Sequence, residues 1–139
     1  MKRFKSCSPE DTLRIAREYA PLLYPNAVVA LRGDLGSGKT TFVRGIAGQL
    51  GGNSIEVCSP TFSYLNIYAA IPPIYHFDLY RLTTDVQFTE SGFSEFFYSG
   101  GITCIEWPDC AVPHLPEHTT FIELRHLGPT EREITIFSF

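Results

Sequence analysis

No apolar run in the sequence reaches even about half of the roughly 20 residues that a membrane span needs, so no membrane role is expected. A basic excess is missing too. Lysine and arginine number 11 against 15 acidic residues, a net charge of −4. Neutralising phosphates takes a basic face, so direct binding of DNA or RNA by this chain alone is not expected, although net charge leaves a local patch open. Cysteine is scarce and unpaired in pattern. Cys7, Cys58, Cys104 and Cys110 form no CxxC, and His76, His114, His118 and His126 lack zinc spacing. The cysteines therefore read as reduced, buried small hydrophobes of a cytosolic protein. A repeat, a low-complexity tract and a linker are also lacking, so residues 1–139 are expected to make a single domain. A chain of that size supports one core but not separate catalytic and substrate domains. The start, Met1-Lys2-Arg3-Phe4-Lys5, is basic, but Ser8-Pro9-Glu10-Asp11 follows where a secretion signal needs its apolar stretch. A soluble, cytoplasmic protein is expected.

What is present alternates between helix and strand patterns. Ser8 as N-cap, Pro9 at the first helical position and Asp11 at the capping-box position open a helix. Leu13, Ala16, Ala20 and Leu23 give it an apolar face, and Pro25-Asn26 is expected to stop it. Ala27 to Leu31 has the continuous apolar character of a strand buried on both faces. A second helix is expected from Lys39 to Leu50, ended by Gly51-Gly52-Asn53. Thr61 to Tyr68 and Ile74 to Leu79 read as strands joined through Pro72-Pro73, and Ile102 to Ile105 as a further buried strand. Residues 84–98 read as two short helical pieces broken at Gly92. Thr119 to Leu124 and Glu133 to Phe137 read as a hairpin through Gly128-Pro129. Helices and strands mix throughout, so the fold class is α/β.

Between the first buried strand and the second helix stands Gly33-Asp34-Leu35-Gly36-Ser37-Gly38-Lys39-Thr40, a complete phosphate-binding loop. Glycines there let successive backbone N–H groups wrap a polyphosphate, and the helix that follows adds the positive end of its dipole. Lys39 supplies a point charge for the outer phosphates and the Thr40 hydroxyl a ligand for Mg²⁺. Chance supplies this pattern in about one chain in two hundred of this length. A dinucleotide site is not supported, because the GxGxxG order is absent.

Binding phosphate is not hydrolysis; a second set of residues must hold the metal and place a water. Asp78, in His76-Phe77-Asp78-Leu79-Tyr80-Arg81, and Glu106, directly after Ile102-Thr103-Cys104-Ile105, lie at the ends of expected strands. Apolar residues leading into an acid are the usual setting of a Walker-B carboxylate. His76 is expected to orient a loop rather than to catalyse, since phosphoryl transfer needs little acid–base help. For Arg81 both a phosphate contact and a structural ion pair stay open. Arg44 is expected to face solvent. The cluster Phe93, Phe96, Phe97 and Tyr98 reads as core before it reads as a docking patch.

Gly33 to Phe42, Ser59-Pro60-Thr61-Phe62, His76-Phe77-Asp78-Leu79-Tyr80-Arg81-Leu82 and Glu106-Trp107-Pro108 follow one another in this order. Together they closely resemble the TsaE family, the small ATPase of tRNA threonylcarbamoyladenosine (t6A) synthesis, from about residue 8 to the C-terminus. The resemblance implies a P-loop NTPase fold pared to one domain, with a mixed parallel and antiparallel sheet flanked by helices. It implies binding of ATP and Mg²⁺, slow hydrolysis by the isolated chain, and docking on a TsaB–TsaD complex that handles the tRNA. By the same likeness, Gly33, Asp34, Leu35, Gly36, Ser37, Gly38, Lys39, Thr40, Thr41 and Thr61 would line the nucleotide. Thr40 and Asp78 would hold the metal, and Glu106 would help organise metal and attacking water. Ser59-Pro60-Thr61 would form a mobile, switch-like segment near the γ-phosphate, and Trp107 would lie beside the nucleotide. Ser37 stands where the family usually has Ala, a change expected to be tolerated with the side chain pointing away from phosphate. Val86-Gln87 stands where relatives usually carry acidic residues, which bears on partner contacts rather than on nucleotide binding.

Two other functions remain. A nucleotide-gated binding module would order residues 59–62 on ATP without useful turnover. A small P-loop kinase would need an acceptor pocket and an arginine-bearing lid. After the loop, however, the chain offers only Arg44, Arg81, Arg125 and Arg132, and no lid-sized insertion.

Overall fold

The apolar segments Val28–Arg32 (β2), Ile74–Asp78 (β4) and Ile102–Glu106 (β5) become the middle of a seven-stranded sheet, buried almost throughout. The computed structural model describes residues 1–52 and 54–137. Lys2–Ser6 (β1), Leu65–Tyr68 (β3), Thr120–His126 (β6) and Arg132–Phe137 (β7) complete a sheet of order β1-β7-β6-β2-β5-β4-β3. Strands β4, β5, β2 and β6 run parallel, whereas β3, β7 and β1 add on antiparallel, giving the mixed sheet that was expected. The parallel strands carry their C-terminal ends to one edge. The register sets Glu106 beside both Leu31 and Asp78 there. A crevice outside the carboxyl ends of parallel strands is where α/β sheets bind ligands.

Each face of the sheet has its own apolar layer. On one side Pro9–Tyr19 (α1) and Lys39–Gly51 (α2) pack Ile15, Phe42 and Ile46 against Val29, Leu31 and Ile122. The close approach of α1 to α2 needs Gly45, since a Cβ there would meet the Ala16 Cβ at 2.5 Å and the Leu13 carbonyl oxygen at 2.9 Å. On the other side Asp85–Glu90 (α3) and the 3₁₀ segment Phe93–Tyr98 bring Phe88 and Phe97 onto Phe77 and Ile105. Phe77 meets Phe93 edge-on at 5.2 Å between ring centroids, so the aromatic cluster is core except for Tyr98, which is exposed. The break at Gly92 is where expected, in left-handed backbone with φ of +75°.

Several expectations are corrected. Helix α1 ends at Tyr19 rather than at Pro25-Asn26, because Pro21 has no N–H to continue the ladder and the chain tightens into a 3₁₀ turn over Ala20–Leu22. Its buried face is Thr12, Ile15, Ala16 and Ala20, with Leu13 and Leu23 only partly covered. Ser8 accepts from the Asp11 amide as expected, but the Asp11 carboxylate reaches the amide of Cys7. Helix α2 runs one residue further, to Gly51, and the Asn53 part of its expected stop lies outside the described residues. The strand expected over Thr61 to Tyr68 begins at Leu65. Residues 61–63 turn, the Tyr64 amide donates to the Pro60 carbonyl at 2.8 Å, and Tyr64 takes a left-handed φ of +65°. Strand β1 was not expected at all. Among the cysteines, all free, only Cys104 is fully buried; Cys7 and Cys58 are exposed. Among the described residues no helix is long and apolar enough to cross a membrane.

Candidate nucleotide site

Strand β2 runs straight into the glycine-rich loop, and the loop into α2, with Gly38 as the helix cap at φ of +104°. That left-handed conformation suits glycine, and it leaves the first amides of α2 facing outward without helical acceptors. Gly33 is required for a different reason: a Cβ there would lie 2.5 Å from the Leu124 carbonyl oxygen. The Lys39 ammonium folds back over the loop and donates to the carbonyl oxygens of Gly33 at 2.5 Å and Asp34 at 3.2 Å. It also sits 3.8 Å from the centroid of the Trp107 ring, a cation–π contact. Burial pushes its pKa below the usual lysine value, against the opposing pull of Glu106, Asp78 and Asp34.

The α2 N-terminus faces the end of β5. The Thr40 hydroxyl donates to both Glu106 carboxylate oxygens, at 3.0 and 2.9 Å. Glu106 Oε2 is in turn 2.6 Å from His76 Nε2, and His76 Nδ1 is 2.8 Å from the Tyr68 hydroxyl. His76 and Glu106 are both buried. His76 lies beside Cys104 in the β4–β5 ladder, so it reaches Glu106 diagonally on the same face of the sheet.

Asp78 fastens the segment that follows α2. Its Oδ2 accepts from the hydroxyls of Ser59 and of Thr61, the latter at 3.3 Å, and its Oδ1 accepts from the Tyr80 amide at 3.0 Å. Its own amide donates to the Tyr64 carbonyl at 3.0 Å. The 59–64 segment therefore hangs on Asp78 by both side chain and backbone.

These groups surround a cavity of about 440 Å³, lined by Leu35 to Thr41, Ser59, Thr61, Asp78, Tyr80, Glu106 and Trp107. Of the residues singled out in the sequence, Gly33 and Asp34 do not line it; their carbonyls hold Lys39 from behind. Ser37 is buried, and its hydroxyl has no hydrogen-bond partner among the described residues. A smaller cavity of about 180 Å³ shares Gly36, Ser37, Gly38 and Thr41 with the first and extends past Thr12 toward Thr130 and Arg132. Arg81 is turned away, its guanidinium 5.0 Å from the Phe62 ring, and exposed Arg44 touches the Val57 carbonyl.

Four contributors were not singled out for this role by the sequence. Tyr68 and His76 support Glu106 from below. Arg132 donates to the Gly36 carbonyl at 3.2 Å, and His126 lies 3.3 Å from the Leu35 carbonyl, so the β6–β7 hairpin straps the loop from outside. Only His76 left a signal, the two-residue spacing that sets it on the same strand face as Asp78. The others come from across the sheet.

Comparison with known proteins gives matches over nearly the whole chain. The family model for TsaE, threonylcarbamoyl adenosine biosynthesis protein, matches residues 6–134. The chain is 41% identical over 134 residues to a tRNA threonylcarbamoyladenosine biosynthesis protein TsaE of Treponema pallidum, spanning 96% of this chain and 98% of that one. It is 37% identical to the Bacillus subtilis protein of the same name, over 96% of this chain and 83% of the other. The crystal structure of Bacillus subtilis YdiB superposes with a TM-score of 0.81 at 33% identity, covering 99% of this chain and 84% of that chain.

Proposed function

The chain belongs to the TsaE family of t6A biosynthesis, and from that premise we propose that it binds ATP with Mg²⁺ and hydrolyses the ATP. Turnover is slow in isolation and rises on a TsaB–TsaD complex, which handles the tRNA, so this chain meets tRNA only indirectly. Its place is then the cytoplasm. The observation that carries the reading is convergence: Lys39, Thr40, Asp78 and Glu106, from three separate segments, line one cavity beside the loop amides.

The donor set fits Mg²⁺. Thr40, Asp78 and Glu106 offer hard oxygen ligands, and among the described residues no three His, Cys, Asp or Glu side chains close on a metal. Mg²⁺ suits such an open site, since it is usually held by one or two carboxylates together with substrate phosphates and water. Held there by Thr40, Asp78 and Glu106, it would supply positive charge to offset the negative charge that grows on the phosphates.

The chain's own residues supply the rest. The amides from Gly36 to Thr41 and the Lys39 ammonium hold the phosphates. Lys39 is already poised over the loop by two carbonyls and the Trp107 ring. Thr40 would offer its hydroxyl oxygen to the metal, and either Glu106 or Asp78 would orient the water whose oxygen attacks the γ-phosphorus as the bond to the bridging oxygen breaks. Thr61, on the segment tied to Asp78, would close beside the γ-phosphate. The smaller cavity, which shares Gly36, Ser37, Gly38 and Thr41 with the first, would receive the nucleoside end of the ATP. Among the described residues no arginine lines the main cavity, whereas a kinase would bring one in from its lid.

The gated module keeps one specific support: the same Asp78 that would face the metal holds Ser59 and Thr61. Product analysis separates the readings. Incubation with γ-labelled ATP and Mg²⁺ should yield free phosphate. Tight binding with no release would favour the module, and label on an acceptor the kinase.

A further inference from the structure

Glu106 is buried, and a buried carboxylate without partners is costly, so something must hold it at the mouth of the cavity. Its partners come from two sides. Thr40 approaches from α2, and His76 Nε2 approaches from within the sheet at 2.6 Å. His76 is itself fully buried and has one further contact at its other ring nitrogen, the Tyr68 hydroxyl at 2.8 Å. Tyr68 stands at a fork, because the same hydroxyl lies 3.1 Å from the carbonyl oxygen of Cys58, which immediately precedes Ser59. Asn66, two residues before Tyr68 on β3, also donates to that carbonyl, at 3.1 Å. A continuous chain thus runs from the 58–61 segment through Tyr68 and His76 to Glu106 and Thr40.

The geometry points to Tyr68 and His76 as positioning residues for the hydrolytic step, holding the Glu106 carboxylate in line and tying it to the segment that carries Ser59 and Thr61. The imidazole donates from Nε2–H to Glu106 and accepts at Nδ1 from the Tyr68 hydroxyl. A side chain that donates to one carboxylate oxygen in this way fixes the rotamer of the whole carboxylate. The fork gives the Tyr68 proton two acceptors, His76 Nδ1 and the Cys58 carbonyl. Movement of residues 58–61 therefore changes which one receives it, and with it how firmly His76 is held. This inference rests on the hydrolase reading above and names two residues that serve it without touching substrate.

The test uses the full chain with Tyr68→Phe, His76→Gln and His76→Ala. Tyr68→Phe removes one oxygen and leaves the ring in place, so it folds even where a larger change does not. We expect kcat for phosphate release to fall about tenfold in Tyr68→Phe, with KM for ATP within about twofold of the parent. His76→Ala should fall further, and His76→Gln, whose amide still donates to Glu106, should recover part of the loss. Unchanged kcat in Tyr68→Phe and His76→Gln, or a rise in KM with kcat intact, would overturn the inference. Nitrogen-15 spectra of the imidazoles provide a readout independent of turnover, with His76 assigned by its loss in His76→Gln. The parent should show His76 protonated at Nε2 and bare at Nδ1, and Tyr68→Phe should shift the Nδ1 resonance. A proton resident on Nδ1 would refute the arrangement. Should the parent release no phosphate at all, the hydrolase reading fails, while the imidazole spectra still decide the geometry.

Discussion

The Thr40 hydroxyl donates to both carboxylate oxygens of Glu106, joining residues 66 positions apart at the mouth of one cavity. The donated proton leaves the lone pairs of the Thr40 oxygen open, so that oxygen can be offered to a metal with its tie to Glu106 in place.

Glu106→Gln keeps the volume and the contact with Thr40 but removes the charge. We expect ATP affinity to stay near that of the parent while phosphate release falls by about a hundredfold or more. Release at the parent rate would move the water-orienting role to Asp78.

Lys39→Ala removes the ammonium that two loop carbonyls and the Trp107 ring now hold. ATP binding should weaken by about a hundredfold or more, as loss of a buried partner to a phosphate charge does. Trp107 is the single tryptophan and so reports directly. Its fluorescence should change as ATP draws Lys39 off the ring in the parent, and stay flat on adding ATP to Lys39→Ala.

Cysteine accessibility divides the chain cleanly. Burial pushes the Cys104 thiol up to about 12, so it should resist alkylation in the folded state. Cys7 and Cys58 are exposed and should react. Cys58 neighbours Ser59, and we expect ATP with Mg²⁺ to slow its modification while leaving Cys7 unaffected, as mass spectrometry of the labelled peptides would read. Equal protection of both would mean that residues 58–61 do not respond to nucleotide.

Alkaline stability has a definite sign. Burial raises Tyr19 above its ordinary value of 10.0. In the unfolded chain this tyrosine loses its proton first, so its contribution is whole below pH 10.0 and is lost as pH rises through the higher folded value. Tyr19→Phe cannot ionise, and its melting temperature should fall less between pH 9 and pH 11 than that of the parent.

Gly45→Ala sets a methyl 2.5 Å from the Ala16 Cβ and 2.9 Å from the Leu13 carbonyl. Neither α1 nor α2 can give easily there, and overpacking should cost about 1–3 kcal/mol in urea unfolding.

What was legible in the sequence follows the distance between partners along the chain. Gly33 to Thr40 form their loop from consecutive residues, and a buried strand before it and a helix after it are read from the same stretch. Asp78 and Glu106 are legible because each closes an apolar run, which marks a parallel strand reaching the sheet edge. The Tyr68–His76–Glu106 chain is not, since it needs the β4–β5 register and the β3–β4 pairing to be known first. His76 read as a residue that orients a loop, whereas it stands within β4 with its ring nitrogens on Glu106 and Tyr68. Strand β1 escaped because its one apolar residue, Phe4, sits among Lys2, Arg3 and Lys5, and its partner β7 begins at Arg132. Charges of that kind are common on edge strands, where they discourage further pairing. The turn at 61–63 escaped because β-branched and aromatic residues signal strand, while Tyr64 takes a left-handed backbone that this signal does not foresee.

The most direct measurement is phosphate release from ATP and Mg²⁺ by the purified chain, with and without a purified TsaB–TsaD complex. We expect slow release by the chain alone, a clear rise when the complex is added, and neither with Lys39→Ala. Absence of release in both conditions would contradict the hydrolase, and release that ignores the complex would contradict the partnership.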